Sequence, residues 1–492
     1  MSKTNTYESL NRIAIFLGVI LCVSCAKVDY KSPQLVPPNI LLILVDDLGK
    51  EWVSCYGAED ITTPNIDRLA QSGIKFNHVY GMPQCTPSRV TLLTGQYPFR
   101  HGWINHWDVP RWGGGAHFDE TMNPSLAVEM KKAGYKTCIT GKWQIDDFRV
   151  EPDALTRNGF DDYCMWTGYE SGNPPSSERY HDPYVFTKQG SKRYENAYGP
   201  DLFKDFICEF IRENRDTSMF IYFPMVLTHV PFEHTPIDSA ETDLGKHQAM
   251  VTYTDLITGE ILRTLEETGI RDNTLIIWTT DNGTTQKITG TINGKTIRGG
   301  KMKTTEPGVC LPFIASWPAV IKPGQTSNAL IDFSDLFPTF LDLAGISVNK
   351  EYTIQDKKYH IDGVSFKQVL TQGTPTKRDW ILSMGGGNHA QLTEKGVENQ
   401  YVFRDRVIRN EHYKLYINSK REVAGFFELG KNLEEGQNLL DSLDTSGRAE
   451  NFKRLCEVMS LFPEKDHDPI YSPNPPQEWD VEVTAKSQIW KY

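Results

Sequence analysis

Short apolar runs alternate with longer amphipathic stretches between Asn39 and Trp317. The run Asn39–Val45 is apolar at every position after the first, which is typical of a strand buried on both faces of a sheet. A helix is predicted to begin near Thr63 and Pro64, because threonine caps helices and proline suits their first turn. Further strands are predicted at 135–140, 219–225, 273–279 and 311–317, and helices at 64–70, 124–133, 201–214 and 246–267.

This alternation predicts an α/β fold with a large, mostly parallel sheet flanked by helices. Near Asn349 the pattern changes to polar, irregular sequence, followed by short alternating strands and one helix. We therefore expect residues 37–348 to form the large N-terminal domain and 349–492 a smaller α+β subdomain, with a small antiparallel sheet and an extended strap from Pro463. The strands of this subdomain are predicted at 380–383, 401–409 and 412–418, and its helix at 449–461.

The N-terminal residues have the pattern of an export signal. Lys3 and Arg12 precede the apolar run Ile13–Val23, which is shorter than the ~20 residues that span a bilayer. Val23-Ser24-Cys25 resembles a bacterial lipoprotein cleavage site, with Cys25 as the lipidated first residue of the mature chain. The alternative is a buried N-terminal helix. We expect residues 1–24 to be a signal peptide and the protein to be exported, either periplasmic or anchored to the outer membrane.

Composition narrows the functional classes. The chain has 492 residues with 39% hydrophobic and 23% charged positions, which excludes a disordered or fibrous protein. Its 52 Lys and Arg against 63 Asp and Glu give a net charge of −11, which argues against a nucleic-acid binder because no excess positive charge can neutralise phosphates. The chain has nine cysteines, and the seven after Cys25 are scattered and fit neither a zinc pattern nor a small disulfide framework, which leaves buried thiols or one or two bridges. Their odd number leaves at least one available for chemistry.

Polar side chains follow several predicted strands where each one ends. Asp46 and Asp47 follow the first strand, and Asp281 and Asn282 follow the strand at 273–279. In parallel α/β sheets ligands bind beyond the carboxyl ends of strands. Three carboxylates and an amide there suit a hard divalent cation, with Ca²⁺ preferred and Mg²⁺ second. The alternative for each pair alone is a solvated turn.

Cys85 lies where a helix is expected to begin. Thr86 can cap that helix and Pro87 suits its first turn, which places the thiol at the helix N-terminus. Free N–H groups there favour an anion, and Arg89 lies one turn further along. From the residues alone, two interpretations remain open: a thiolate nucleophile, or a buried inert cysteine.

The segment Cys85–Arg89 with Thr91–Gly95 resembles the signature of the type I sulfatases of the alkaline phosphatase superfamily. A maturation enzyme converts the cysteine of that signature to formylglycine (3-oxoalanine). The resemblance extends over about residues 37 to 440. Its other motifs, in chain order, are 39–49, Gly141-Lys142-Trp143, Thr228-His229-Val230-Pro231, Asp281-Asn282-Gly283, Arg298-Gly299-Gly300-Lys301 with Glu306, Gly308 and Pro312, and Phe427-Glu428-Leu429 through Asn438-Leu439.

The resemblance implies a sulfuric ester hydrolase in which hydrated formylglycine at position 85 attacks sulfur and later eliminates sulfate. Lys142, Lys301 and Arg89 would neutralise the sulfonyl and formylglycine oxygens. His229 would protonate the leaving alcohol oxygen. The implied Ca²⁺ ligands are Asp46, Asp47, residue 85, Asp281 and Asn282.

Several positions depart from this pattern or leave a choice. Gln144 stands where many family members have a histidine base, and an amide cannot act as that base. Another residue or a water would then take the proton, or Gln144 only orients the diol. His101 is a nearby candidate, with a structural role as the alternative. His234 would reach the substrate, or else is a solvated loop residue. The usual arginine after the last lysine motif is replaced by Val309-Cys310-Leu311.

The expected substrate is a sulfated carbohydrate, such as a host or algal glycan, by analogy with the family and the expected compartment. Loops at 105–108, 179–182 and 387–389 mix aromatic and hydrogen-bonding residues, a composition that suits sugars as well as surface turns. Two alternatives remain. One is a phosphonate or phosphate ester hydrolase of the same superfamily, and the other is a catalytically silent glycan-binding lipoprotein.

Overall fold

The computed structural model describes residues 37–104, 117–168, 178–348, 350–385, 390–393, 396–399, 403–430, 433–443, 447–467 and 470. The chain from Pro37 onward forms one compact unit. The expected signal peptide, Cys25 and the loops at 105–108 and 387–389 lie outside the described residues, as does Asn349. Within the described ranges, no helix combines the length and the apolar character needed to cross a membrane.

The strands extend along the whole described chain. In the first part they are β1 (Asn39–Val45), β2 (Ile74–Tyr80), β3 (Lys136–Lys142), β4 (Asp162–Trp166), β5 (Tyr184–Thr187), β6 (Gly190–Arg193), β7 (Met219–Pro224), β8 (Thr274–Thr280), β9 (Thr289–Ile292), β10 (Lys295–Arg298), β11 (Phe313–Ser316) and β12 (Gln325–Asp332). Further along they are β13 (Glu351–Ile354), β14 (Lys357–His360), β15 (Ile381–Met384), β16 (Ala390–Thr393), β17 (Gly396–Asn399), β18 (Arg406–Arg409), β19 (Tyr413–Ile417), β20 (Val423–Leu429) and β21 (Glu435–Asn438).

The helices are α1 (Pro64–Gln71), α2 (Cys85–Thr94), α3 (Pro98–His101), α4 (Leu126–Lys132), α5 (Ala154–Arg157), α6 (Gly199–Asn214), α7 (Asp243–Glu267), α8 (Glu306–Val309), α9 (Leu336–Leu343), α10 (Lys367–Gln372) and α11 (Arg448–Met459). The ten-stranded main sheet has the order β12-β2-β11-β8-β1-β7-β3-β4-β5-β6. Its five central strands, β8, β1, β7, β3 and β4, are parallel, whereas β11 and β5 run antiparallel to their neighbours. The predicted α/β class with a large sheet is confirmed, and the sheet is mixed, with five parallel and four antiparallel strand pairs.

The first strand shows why its sequence is apolar throughout. Ile40, Leu42 and Leu44 belong to one core cluster, while the alternate residues Leu41 and Ile43 belong to a second. Successive side chains of a strand point to opposite faces, so each face of β1 lies in its own core. Helices α2, α4 and α9 supply residues to the first cluster, and α1, α6 and α7 to the second. The sheet is therefore covered on both faces.

The main differences from the predicted elements concern strands. The strand β2 was not predicted, because Lys75, Asn77 and His78 interrupt its apolar residues, and those three side chains are half-buried. The predicted strand at 311–317 is β11, which is antiparallel to β8 rather than part of the parallel series.

The predicted C-terminal elements appear as β15, β18, β19 and α11. With β20 and β21, the three strands form an antiparallel sheet in the order β15-β18-β19-β20-β21. The predicted boundary between residues 348 and 349 stays a prediction.

Candidate active site

Strand register brings the predicted metal motifs to one edge of the main sheet. Val45 of β1 lies opposite Thr280 of β8, so the residues that follow these two strands leave the sheet side by side. The Asp281 N–H donates to the Val45 carbonyl at 2.9 Å, and the Asp47 N–H donates to Asp281 Oδ1 at 3.1 Å. The segment after β7 joins them, because the Asp46 N–H donates to the Leu227 carbonyl at 2.7 Å. The convergence expected at the strand ends is thus present.

Cys85 is the first residue of α2, which is buried along its whole length. Gln84, rather than the predicted Thr86, occupies the capping position, and no side chain caps the helix. Ser88 instead fixes the helix start, since its hydroxyl donates to the Asp281 carbonyl at 2.5 Å and accepts from the Met82 N–H at 2.9 Å. These two bonds connect the cysteine segment directly to the second metal motif.

The Cys85 thiol faces carboxylates. Its Sγ lies 3.3 Å from Asp46 Oδ1 and 3.8 Å from Asp47 Oδ1. Burial, followed by the charges of Asp281 and Asp46, raises the pKa of the thiol well above its usual value. These effects outweigh the helix N-terminus, so the unmodified residue is a neutral thiol and a poor thiolate nucleophile.

Three cations pair with the three carboxylates. Lys142 Nζ lies 2.6 Å from Asp46 Oδ2, and Lys301 Nζ lies 2.6 Å from Asp47 Oδ2. Arg89 donates through Nη2 to Asp281 Oδ2 at 2.7 Å and through Nη1 to the Lys142 carbonyl at 2.7 Å. All three cations predicted for the site therefore lie in it, in direct contact with the predicted metal ligands.

Gly141 explains how β3 delivers Lys142 to this edge. Its φ of +111° is left-handed, and a Cβ there would lie 2.1 Å from the Pro224 carbonyl oxygen. Only glycine allows this close approach between the ends of β3 and β7. The backbone then continues into Lys142 and Trp143, which are both buried.

The carboxylates share strong electrostatic coupling. Burial alone would raise the pKa of Asp46, but Lys142, His229 and Arg89 together lower it well below its usual value. Burial and the charge of Asp46 raise the pKa of Asp281 to about 7 despite its pairing with Arg89. Buried carboxylates in contact thus resist being ionised together, which is the situation that a bound cation relieves.

The donor atoms fit a hard cation. Asp46, Asp47, Cys85 and His229 each offer one ligand atom, and these four atoms lie within 4.8 Å of one another. Asn282 Oδ1 is buried and lacks a hydrogen-bond partner, while its Nδ2 donates to Asp47 Oδ1 at 2.8 Å. An unpaired buried oxygen beside two carboxylates is a ligand suited to Ca²⁺ or Mg²⁺. The sequence prediction did not include His229 in this cluster.

His229 follows β7 and faces the same cluster. Its Nδ1 lies 2.6 Å from the Val230 carbonyl oxygen, which can only accept, so this bond requires a proton on Nδ1. Nε2 lies 3.6 Å from Asp47 Oδ2. Burial, then the charges of Lys301 and Lys142, lowers the pKa of His229 well below its usual value. The neutral ring therefore presents the Nε2 lone pair to the site.

Arg179 is a site residue that the sequence analysis placed only in a loop. Its guanidinium carbon lies 4.2 Å from the centre of the Trp166 ring, and its Nη1 lies 3.2 Å from His229 Nδ1. The side chain is only 2% exposed. No sequence signal marks it, because Trp166 and Arg179 belong to none of the recognised motifs.

The three remaining candidates differ in position. Gln144 lies two residues after Lys142, in a left-handed conformation with φ of +68°. His101 is buried, and its ring nitrogens contact Thr91 Oγ1 at 3.2 Å and the Trp103 N–H at 3.0 Å, which favours a structural role. Burial lowers the pKa of His101 to about 3.

His234 is exposed, and its ring stacks on that of His181 with 4.4 Å between ring centres. Both histidines line an open cavity of about 800 Å³. The two are joined by a hydrogen bond of 3.0 Å between His181 Nε2 and the His234 carbonyl oxygen. His234 thus lies within five residues of His229 but on the surface.

Comparisons with known proteins agree with this geometry. Residues 38–346 match the family model described as Sulfatase. The chain is 32% identical over 368 residues to the N-acetylgalactosamine-6-sulfatase of Homo sapiens, covering 70% of this chain and 67% of that protein. It is 30% identical over 451 residues to the N-acetylgalactosamine-6-O-sulfatase of Bacteroides thetaiotaomicron, covering 75% of this chain and 84% of that protein.

Solved structures show the same fold. The crystal structure of i-CgsB in complex with k-i-k-neocarrahexaose matches with a TM-score of 0.71 at 21% identity, covering 93% of this chain and 97% of that one. The phosphonate monoester hydrolase of Agrobacterium radiobacter matches with a TM-score of 0.61 at 20% identity, covering 86% of this chain and 95% of that one. At these identities the likeness concerns the fold alone.

Proposed function

The chain belongs to the sulfatase family of the alkaline phosphatase superfamily and is a sulfuric ester hydrolase, and from this premise we propose that it desulfates a carbohydrate. Two relatives are named as sulfatases of N-acetylgalactosamine 6-sulfate groups, which supports a sugar substrate. The observation that carries the proposal is the position of Cys85, 3.3 Å from Asp46, among three carboxylates and three cations at the sheet edge.

The nucleophile in this proposal is formylglycine, made from Cys85 by a maturation enzyme. The raised pKa of the unmodified thiol supports this, because a neutral buried thiol is a poor nucleophile. Asp46, Asp47, Asp281 and Asn282 would hold Ca²⁺, with Mg²⁺ as second choice. When bound, the ion and hydrated formylglycine supply a hydroxyl acidic enough to attack sulfur at neutral pH.

The cationic side chains hold the sulfate group. Lys142 and Lys301 are buried or nearly so, and each already lies 2.6 Å from a carboxylate of the site. Arg89 is fixed by two bonds to neighbouring elements. Such preorganised positive charge stabilises the negative charge that spreads over the sulfonyl oxygens in the transition state.

His229 supplies the proton to the leaving oxygen. Its Nδ1 is engaged by the Val230 carbonyl, which leaves Nε2 to face the reacting centre. The hydroxyl oxygen of a sugar is a poor leaving group, so it needs a proton as the sulfur–oxygen bond breaks. A negatively charged sulfate nearby favours protonation of the imidazole. It therefore opposes the lowering of the His229 pKa by the two lysines.

Export and lipid attachment complete the proposal. The segment Ile13–Val23 and the following Ser24-Cys25 support a signal peptide of the lipoprotein type. The mature protein would be periplasmic or anchored to the outer membrane through Cys25. Mass spectrometry of the N-terminal peptide from natively produced protein tests this, and an unprocessed Met1 would contradict it.

The central experiment is mass spectrometry of the tryptic peptide that contains Cys85, combined with steady-state rates. We expect an aldehyde at position 85 and turnover of sulfate esters well above that of phosphate and phosphonate esters with the same leaving group. Faster hydrolysis of phosphodiesters or phosphonates would favour a different hydrolase of the superfamily. Unmodified cysteine without turnover of any ester would indicate a glycan-binding lipoprotein instead.

A further inference from the structure

Arg179 carries a buried positive charge that the proposed chemistry does not use. Its side chain is 2% exposed, and its Nε is fully buried without a hydrogen-bond partner. The central carbon of the guanidinium lies over the Trp166 ring, 4.2 Å from its centre. Among the described residues, no carboxylate lies within ion-pair distance of Arg179, and its single polar contact is His229 Nδ1 at 3.2 Å.

That contact does not satisfy the guanidinium. His229 Nδ1 lies between Arg179 Nη1 and the Val230 carbonyl oxygen, which is 2.6 Å away, and at most one guanidinium N–H can donate to it. Arg271, which is also buried, donates to the Thr274 carbonyl and the Ser316 hydroxyl. Four other buried arginines have carboxylate partners. These pairs are Arg89 with Asp281, Arg378 with Asp335, Arg406 with Asp466 and Arg409 with Glu306. A buried charge without a partner is costly, which indicates that an anion completes this site.

The position of Arg179 shows which part of a substrate it would meet. His229 Nε2 faces Asp47 at 3.6 Å, whereas Arg179 lies against Nδ1 on another side of the same ring. Lys142 and Lys301, by contrast, contact the carboxylates directly. Arg179 is therefore separated from the sulfate-binding cations by the proposed general acid, so an anion that it binds would belong to the leaving part of the substrate rather than to the sulfate that is removed.

We propose that Arg179 determines specificity by binding an anionic group on the leaving part of the substrate, a carboxylate or a second sulfate. This inference rests on the proposed function. The planar fork of arginine matches both groups through two parallel hydrogen bonds, and Trp166 packs against it. A neutral sugar hydroxyl would not compensate the buried charge. The substrate class is thus a polyanionic glycan, in which the sulfate that is removed lies close to another negative charge.

The test compares kcat/KM for four substrates with matured, full-length protein. They are an aryl sulfate, a neutral monosulfated sugar, the same sugar linked to a uronic acid, and the same sugar with a second sulfate. The variants are Arg179→Gln and Arg179→Lys, with Arg215→Gln as the control that removes an exposed arginine. Melting temperatures establish that each variant is folded.

We expect wild-type protein to prefer an anionic sugar over the neutral one, and Arg179→Gln to reduce that preference about 10- to 100-fold. Arg179→Lys should retain part of it, because lysine keeps the charge without the fork. The natural anionic group is identified by the substrate, with the uronic acid or with the second sulfate, whose kcat/KM falls more in Arg179→Gln. An equal loss of kcat/KM on all four substrates would mean that Arg179 only orients His229. An unchanged kcat/KM on all four would mean that Arg179 does not bind the substrate. Either result overturns the inference.

A failure of the proposed function would give a different experimental result from a failure of the Arg179 inference. In that case wild-type protein turns over none of the sulfate esters, and the inference is then tested by calorimetry of the same sugars with Cys85→Ala protein. Weaker binding of the anionic sugars after Arg179→Gln, relative to the neutral sugar, would support the anion site independently of turnover. Unchanged relative affinities would overturn it.

Discussion

Glu306 links the lysine motif of the active site to the C-terminal sheet. It begins α8, a few residues after Lys301, and its carboxylate accepts from Arg409 at 3.0 Å and Lys414 at 3.1 Å, which lie in β18 and β19. The Tyr80 hydroxyl also donates to it. Burial would raise the pKa of Glu306, but Lys414 and Arg409 outweigh burial and lower it to about 2.

The lowered pKa of Glu306 sets the size of its contribution to folding stability. Against the ordinary value of 4.5, a pKa of about 2 means that the ionised form contributes on the order of 3 kcal/mol to folding stability at neutral pH. Because the folded pKa is depressed, this stabilisation is present above pH 4.5 and is lost as the pH falls toward 2. Glu306→Gln should therefore lower the free energy of unfolding by about 3 kcal/mol at pH 7, since it also leaves Arg409 without a counter-ion.

The assay is urea unfolding of wild type and Glu306→Gln at several pH values from 7 down to 3. The difference in stability should be constant above pH 4.5 and shrink below it. Glu351→Gln is the matched control, because Glu351 pairs with Lys358 in the exposed hairpin of β13 and β14, and its loss should leave the unfolding midpoint unchanged. A difference that persists undiminished at pH 3 would refute the assignment of the stabilisation to the ionised Glu306.

Three further predictions concern the site itself. Cys85→Ala should lower kcat by at least about 10⁴-fold while the melting temperature changes little, because the side chain is small and is used in chemistry; a rate close to wild type would contradict the nucleophile. His229→Ala should slow sugar sulfates by about 10² to 10⁴-fold but aryl sulfates much less, since a phenol leaves without a proton; equal losses in kcat would rule out the general acid. Gly141→Ala should destabilise the protein by about 3 kcal/mol in urea unfolding, because its Cβ would meet Pro224 at 2.1 Å, whereas Gly134→Ala meets no atom within 4 Å and should cost less.

The main sheet and the motif residues could be predicted because their signals are local. The register of β1 with β8 places Asp46 beside Asp281 without further information. For these residues the sequence predicts the element and the edge of the sheet, and the observed register supplies the neighbour.

Arg179 and Glu306 could not be assigned their roles in the same way. The contact of Arg179 with His229 joins residues 50 apart, and that of Glu306 with Arg409 joins residues 103 apart. Neither pair lies on adjacent ends of predicted strands, so no periodicity relates their positions. Such contacts depend on how segments that are distant in the sequence pack together. Thr86 shows the same limit at short range: it is predicted to cap α2, but the helix start is held by Ser88, whose hydroxyl donates to the Asp281 carbonyl.

The distribution of charge predicts how KM depends on salt concentration. The whole chain has a net charge of −11, yet Lys142, Lys301, Arg89 and Arg179 outnumber the three carboxylates of the site by one. A polyanionic glycan is then repelled at long range and attracted only inside the pocket, where burial limits screening. Raising NaCl from about 10 to 150 mM shortens the Debye length from about 30 to 8 Å, so it should weaken the repulsion first and leave KM unchanged or lower. A steep rise of KM with salt, as at a basic surface groove, would show that exposed cations rather than the buried ones bind the substrate.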